Sequence, residues 1–255
     1  MLLVVSTLKD YTLVANDGVV GTISDFLFDD ETWKIRWLVV DTGTWLPGRK
    51  VLLHPSAIGQ ADVQRHELPV TLMKAQVEES PTVGRNQPLS QQVEAHLCDY
   101  YGWDRDWGSS FFGTPAIALP LAAAPDFSAA AVGDVIGAPD HPDKGDSHLH
   151  SIAAVTDYHI RGIDGEIGHV ENFLIDSASW GIRYIIVDTE NWWPGKHVLV
   201  SPYAVQEIRW SDRQVRLDVT RTKVKSSPPW DSIRMFDRAY EKRLHIHYGW
   251  LGYGF

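Results

Sequence analysis

The chain contains itself twice. Asp17-Gly18-Val19-Val20-Gly21 returns as Asp164-Gly165-Glu166-Ile167-Gly168, and Trp33-Lys34-Ile35-Arg36 returns as Trp180-Gly181-Ile182-Arg183. Val40-Asp41-Thr42 reappears as Val187-Asp188-Thr189, and Trp45-Leu46-Pro47-Gly48 as Trp192-Trp193-Pro194-Gly195. The offset is constant, since 180 − 33 and 188 − 41 both give 147. The register holds without a gap from Asp10/Asp157 to Ala57/Ala204. An internal repeat constrains architecture before any local reading, because each copy must build the same supersecondary unit. It also sorts residues: what the fold needs should appear in both copies, whereas a catalytic group needs only one.

Each copy spans roughly 100 residues, enough for a domain with its own core. Three segments are expected: a first unit over 1–103, a connecting segment rich in Ala, Pro, Gly and Asp over 104–147, and a second unit over 148–255. Within each unit, short apolar runs alternate with turn signals, which predicts a mainly β fold. In the first unit, strands are expected over Tyr11–Val14, Val19–Phe28, Trp33–Asp41 and Arg49–Leu53. Asn16-Asp17-Gly18 marks a hairpin between the first two, and Gly21 a bulge or sharp bend. Ile35, Trp37 and Val39 should share one face of the third strand. Pro47-Gly48 suits a tight turn, and Pro55 to Ile58 one helical turn. The start, Met1 to Ser6, reads as a further strand.

In the second copy, Val215-Arg216-Leu217-Asp218-Val219 alternates apolar with charged, the pattern of a half-buried strand. Leu68 to Leu72 is its counterpart, with the register expected to slip by two through an extra pair in the second copy's hairpin. A helix closes each unit, carrying Val93, Leu97 and Tyr100/Tyr101 in one, and Ile233, Phe236, Tyr240, Leu244 and Tyr248 in the other. Both end Tyr-Gly-Trp, at 101–103 and 248–250. That ending is first a helix stop, with glycine in the left-handed conformation and the next apolar residue folded back.

Asp164-Gly165-Glu166-Ile167-Gly168-His169-Val170, followed by Asp188-Thr189, Trp192-Trp193-Pro194-Gly195-Lys196 and Val198-Leu199-Val200-Ser201-Pro202, resembles the PRC-barrel family. That family includes the cytoplasmic domain of the photosynthetic reaction centre H subunit and the C-terminal domain of the ribosome maturation factor. The arrangement is most similar to a bacterial subgroup with two such barrels in tandem. There, a segment like Asp146-Ser147-His148-Leu149-His150-Ser151 introduces the second barrel. The resemblance implies two small β-barrels of about six strands, each followed by a C-terminal helix and joined by a long linker. It also implies adaptor or assembly roles, and it attaches no catalytic residue set. The first copy departs modestly, with Leu46 where the second has Trp193.

Candidate chemistry is sparse. Asp17, Gly18, Gly21, Asp41, Pro47 and Gly48 recur as Asp164, Gly165, Gly168, Asp188, Pro194 and Gly195, and are read as structural positions. Asp41 and Asp188 can fix the following loop by accepting backbone N–H groups. Asp29-Asp30-Glu31 could offer oxygen ligands to a cation, but most of the acid is absent from Asp176-Ser177-Ala178-Ser179, so a solvated turn is expected. His148 and His150 would face the same side of a strand. With His141 they are the candidates for a metal site, alongside Asp143 and Asp146. His245 and His247 are two apart on a helix and point to different faces. Cys98 aligns with His245 and is expected to be a semi-buried structural thiol.

The remaining candidates are aromatic. Trp45, Trp192 and Trp193 lie on matching loops, and Trp250, Tyr253 and Phe255 end the chain. They either close the open ends of small barrels or form an interaction surface, where Trp and Tyr dominate. A net charge of −10 argues against direct nucleic-acid contact. No run approaches the roughly 18 apolar residues of a membrane span, the start lacks a signal-peptide pattern, and a cytoplasmic location is the default. The expected function is therefore non-catalytic: a binding or assembly module without a cofactor, acting with a protein partner or as a homo-oligomer. Two alternatives stay open: a metal-binding protein or enzyme built on the His141–His150 region, and a ribosome- or RNA-linked factor.

Overall fold

The structure is a computed structural model that describes residues 1–9, 11–81, 91–103, 148–189, 196–230 and 237–250. The chain begins with β1 (Leu2–Val4) and one helical turn, α1 (Val5–Leu8). The Asn16-Asp17-Gly18 turn joins β2 (Thr12–Ala15) to β3 (Gly18–Asp29), and β3 folds back through residues 30–33 to β4 (Lys34–Asp41). β5 (Lys50–Leu53), a 3-10 turn over Pro55–Ala57, β6 (Glu67–Pro69), α2 (Lys74–Glu78) and α3 (Gln91–Tyr101) complete the first half.

The second half repeats the order with two added strands, β12 and β14. It comprises β7 (Leu149–Ser151), α4 (Ile152–Val155), β8 (His159–Gly162), β9 (Gly165–Asp176), β10 (Ile182–Asp188) and β11 (His197–Val200). A 3-10 turn over Pro202–Ala204, β12 (Val205–Arg209), β13 (Gln214–Leu217), α5 (Arg221–Lys225), β14 (Pro229–Trp230) and α6 (Arg238–Tyr248) follow. The expected two-residue slip does not occur. β6 runs parallel to β2 with Leu13 opposite Leu68, and β13 parallel to β8 with Ile160 opposite Val215. Both members of that pair of pairs are 147 apart, so the offset persists to the closing helices.

The sheets are open rather than closed barrels. Their strand orders are β5-β4-β3-β2-β6 and β12-β13-β8-β9-β10-β11-β14. Each takes one further strand from the other half. β1 pairs with β9, Leu3 opposite Ile175, and β7 pairs with β3, His150 opposite Phe28. The two exchanges are related by the same offset, so the halves embrace about a pseudo-two-fold axis. Near that axis Ile35 N–H donates to Trp180 O at 2.9 Å, and Ile182 N–H to Trp33 O at 2.7 Å. The first and second units are therefore continuous along the chain but not separate as sheets: residues 2–4 sit in the second sheet and 149–151 in the first.

The turns at this centre are built alike. Asp29 accepts the amides of Glu31 and Thr32 at 3.1 and 2.8 Å, and Asp176 accepts that of Ala178 at 3.2 Å. Trp33 and Trp180 then take left-handed φ of 54° and 55°, a conformation tryptophan adopts only where surrounding contacts hold it. Phe28 and Phe173 meet across the halves, centroids 6.3 Å apart. One apolar core runs through both halves, with Leu8, Phe28, Ile35, Phe173 and Ile175 fully buried.

β4 departs from the simple alternation. Leu27 faces Trp37 but Phe28 faces Ile35, so a bulge falls at Arg36. Ile35 consequently joins the shared core, while Trp37 turns to the opposite face and packs with Leu52, Leu97 and Cys98 under α3. The predicted bend at Gly21 is a bulge, with the register shifting between Leu13 and Val14. A Cβ on Gly21 would lie 2.1 Å from Asp41 O, and one on Gly168 would lie 1.9 Å from Asp188 O. Only glycine lets the neighbouring strand come that close.

Both closing helices stop as expected. Gly102 and Gly249 have φ of 69° and 78°. The Trp103 amide bonds to Cys98 O at 2.8 Å and the Trp250 amide to His245 O at 3.1 Å, the six-residue closure of a Schellman ending. α6 starts at Arg238, where Asp237 caps it by accepting the Tyr240 amide at 2.6 Å. Ile233 and Phe236 lie outside the described residues.

Candidate functional site

The two ends of the pseudo-symmetric body differ in their side chains. At one end β1, the Pro55–Ala61 segment and the turn after β9 border a surface cleft of about 600 Å³. Its floor is apolar: Leu3, Leu8, Ile58, Leu68, Ile175 and Trp180. Ser56, Gln60 and Ser177 also line it, with Ser56 and Gln60 exposed and Ser177 half-buried. The exchanged strand makes this cleft, because Leu3 and Leu8 come from the first half while Ile175 and Trp180 come from the second. A concave, largely apolar surface with a few polar groups at its edge is the ordinary form of a ligand site.

At the other end several equivalent positions differ: Val155, Val205 and Val215 are smaller than Leu8, Ile58 and Leu68, while other positions carry aromatic or bulkier groups. His150 replaces Leu3, Phe28 replaces Ile175 and Ile208 replaces Ala61. Trp210 stands where the first half has Val63. Its ring lies flat on His150, centroids 3.4 Å apart and planes 14° from parallel, with Tyr158 edge-on at 6.1 Å. The Phe28 ring centroid lies 6.3 Å from that of the imidazole, tilted by 54°. Val63 is 48% exposed.

The histidines predicted as metal candidates are thus drawn to the first half. His148 Nδ1 lies 3.0 Å from Asp30 Oδ1 and its Nε2 3.7 Å from Glu31, while His150 Nε2 lies 3.3 Å from Asp30 Oδ2. Asp30 is therefore no solvated turn residue; it faces two imidazoles from the exchanged strand. Among the described residues, no group of three or more His, Cys, Asp and Glu is arranged to hold a metal ion. His141, Asp143 and Asp146 lie outside the described residues.

A second polar feature was not foreseen from the sequence. Glu94 on α3 is buried and accepts the Trp37 indole N–H, while Arg36 donates to its other oxygen at 2.9 Å. At the equivalent place Glu241 on α6 accepts the Tyr184 hydroxyl at 2.9 Å, and that hydroxyl also lies 2.6 Å from His245 Nε2. These carboxylates dock the closing helices. The signal that could have found them is the repeat itself, since Glu94 and Glu241 are 147 apart. Cys98 is buried in the same layer, and His247 bonds to Lys223 O at 2.7 Å instead of sharing a ligand with His245.

The described duplicated positions make local backbone contacts. Asp17 accepts the Lys74 amide at 2.8 Å and Asp164 the Arg221 amide at 2.7 Å, tying each hairpin turn to the short helix after the parallel strand. Asp41 accepts the Gly43 amide at 2.9 Å, and buried Asp188 lies 3.7 Å from His169. Gly18 and Gly165 hold φ of 137° and 143° at the hairpin turn, and Gly48 follows Pro47 with φ of 74°.

The aromatic candidates divide. Trp45 donates its indole N–H to Val20 O at 2.6 Å and carries Lys74 Nζ 4.4 Å above its ring. Trp250 stacks on Tyr248, centroids 4.1 Å apart, as Trp103 does on Tyr101. Both pairs therefore pack within their own halves. Trp192, Trp193, Pro194, Gly195, Tyr253 and Phe255 lie outside the described residues, as does the connecting segment.

Ionisable groups in these layers respond to burial. Burial pushes the Tyr248 phenol up to about 12, and also raises Tyr240. Burial alone would raise the Asp176 carboxyl, but the Ala178 amide, the Arg183 guanidinium and the Met1 ammonium outweigh it and hold the group below its usual value. Among the described residues no helix is long and apolar enough to cross a membrane. A comparison with curated proteins finds no match to the chain. The protein-family comparison does: residues 4–77, from the end of the exchanged strand β1 into α2, match the PRC-barrel domain.

Proposed function

We propose that the chain is a non-catalytic binding and assembly module, with residues 148–255 forming a second, diverged PRC-type unit in tandem with the first. The observation that carries this reading is the reciprocal exchange of β1 and β7, which locks two copies into one body and builds a shared apolar cleft from both. A single chain made this way resembles a two-fold dimer whose subunits are covalently joined. It has no need of a second chain to fill its exchanged strands, which favours an adaptor docking on a larger complex over a homo-oligomer formed by swapping. The duplicated carboxylates support the non-catalytic part of the reading. Asp17, Asp164, Glu94 and Glu241 are each engaged in holding a turn or a helix. The acidic balance fits a protein partner rather than nucleic acid, and a cytoplasmic location fits the composition.

The test is recovery of the tagged full chain from its native lysate, with and without nuclease, followed by mass spectrometry. A protein partner in near-stoichiometric amount that survives nuclease is the expected result. Recovery of the chain alone, or of a partner lost on nuclease treatment, overturns the proposal.

A further inference from the structure

We infer that the cleft between β1 and the Pro55–Ala61 segment is a receptor for a tryptophan side chain presented by a partner protein. This inference deepens the assembly reading and rests on it. The argument comes from the pseudo-symmetry. At the equivalent end the chain supplies its own tryptophan: Trp210, carried on the turn after β12, lies on His150 of the exchanged strand. In the first half the turn carries Val63, which is exposed, and the exchanged strand carries Leu3. Alanine at 61, where the second half has Ile208, widens the space further. The protein thus shows in one half what the geometry of the other half accepts.

The chemistry of the lining matches such a guest. Half-buried Leu3 and Ile58 offer apolar contact above a buried layer of Leu8, Leu68, Ile175 and Trp180. Ser56, Gln60 and Ser177 can meet the peptide groups that flank a tryptophan in a protein chain. A free aromatic metabolite has no use for those peptide contacts. Tryptophan anchors of this type carry a large share of binding energy where they enter a closed apolar pocket.

The experiment titrates the full-length, methyl-labelled protein with N-acetyl-tryptophanamide and follows the leucine and isoleucine methyl resonances by NMR. Saturable shifts should centre on Leu3, Leu8, Ile58, Leu68 and Ile175. N-acetyl-leucinamide should bind at least about tenfold more weakly, as expected where an aromatic guest is preferred. Val63→Trp reproduces the plugged half, and its response to the probe should fall at least about tenfold through occupancy of the cleft from within. Ala61→Ile, which copies Ile208 and narrows the cleft, provides the same test should the tryptophan variant fold poorly.

Absence of saturable shifts overturns the proposal. So does an equal response to the leucine probe, or a response that neither variant diminishes. Free indole binding about tenfold tighter than the amide would assign the cleft to a small metabolite and sink the protein-borne source. The lysate experiment separates the two proposals. A partner recovered equally by wild type and Val63→Trp keeps the assembly module and removes the cleft from it. Probe binding without any recovered partner removes the assembly reading but retains an aromatic-selective cleft.

Discussion

Replacing Glu94 with alanine should destabilise the protein far more than the same change at Glu241, although the two sites are equivalent by the repeat. Glu94 is buried and is the acceptor for the Trp37 indole, a side chain only 1% exposed. Removing it strands that donor, at about 1–3 kcal/mol. It also deprives Arg36 of one partner, which adds roughly 1 kcal/mol because Arg36 is partly exposed and keeps Asp29 at 3.5 Å. At Glu241 the outcome differs, since the Tyr184 hydroxyl retains His245 Nε2 at 2.6 Å. The hydroxyl loses one hydrogen bond and keeps another, a loss of about 0.5–1 kcal/mol. The difference is therefore about 2 kcal/mol. The helix-propensity gain of Glu→Ala is common to both positions and cancels. Urea unfolding followed by tryptophan fluorescence measures it: with a slope of roughly 2 kcal/mol/M, the two midpoints should lie about 1 M apart at unchanged slope. Coincident midpoints would refute the claim that Trp37 depends on Glu94 while Tyr184 has an alternative. A Glu94→Gln variant, which keeps the oxygen acceptor, should fall between the two.

The close approach of β3 and β9 to the following strands predicts a contrast between glycines. Gly168→Ala places a Cβ 1.9 Å from a backbone oxygen and should cost more than about 3 kcal/mol, whereas Gly43→Ala, with φ of +64° and nothing within 4 Å, should cost about 1 kcal/mol; thermal melts of both variants check this, and equal melting temperatures would count against a steric role. Asp176 predicts an acid limb. Its folded pKa lies below the unfolded one, so its contribution is present above the unfolded carboxylate value and is lost as pH falls through the folded one. Asp176→Asn should therefore lower stability at neutral pH and flatten the decline below about pH 4, as read from urea midpoints at several pH values; an unchanged acid limb would rule the group out as its source.

How much of this could be read in the residues varies with the range of the interaction involved. The hairpin at Asn16-Asp17-Gly18, the glycine bulges and the Tyr-Gly-Trp helix stops were legible because each is set by backbone conformation within a few positions. The face of β4 differs from simple alternation because a bulge falls at Arg36, and nothing local distinguishes Arg36 from an ordinary strand residue. The slip expected before β13 was also wrong; the unlike hairpins of the halves differ in side chains, not in length. The His148–His150 pair is visible in the sequence, but its acidic partner Asp30 lies 118 positions away from His148. The cleft was invisible for the same reason. Its walls are brought together by an exchange between halves, and no single segment has a pattern that announces it. Duplication was the strongest signal in the chain, and applied to Glu94 and Glu241 it would have found the helix anchors as well.

The reciprocal exchange has a consequence for how the chain is made. When the first half leaves the ribosome, the edge of β3 at residues 27–29 has no neighbour, because the strand that covers it begins at Leu149, 120 positions beyond Asp29. An uncovered edge is a template for any other strand nearby. Neighbouring nascent chains on one message present the same edge and the same strand, in matching register. The long segment between the halves sets how soon the right partner arrives, and the competition between chains is thus decided by the timing of synthesis as well as by the stability of the finished fold.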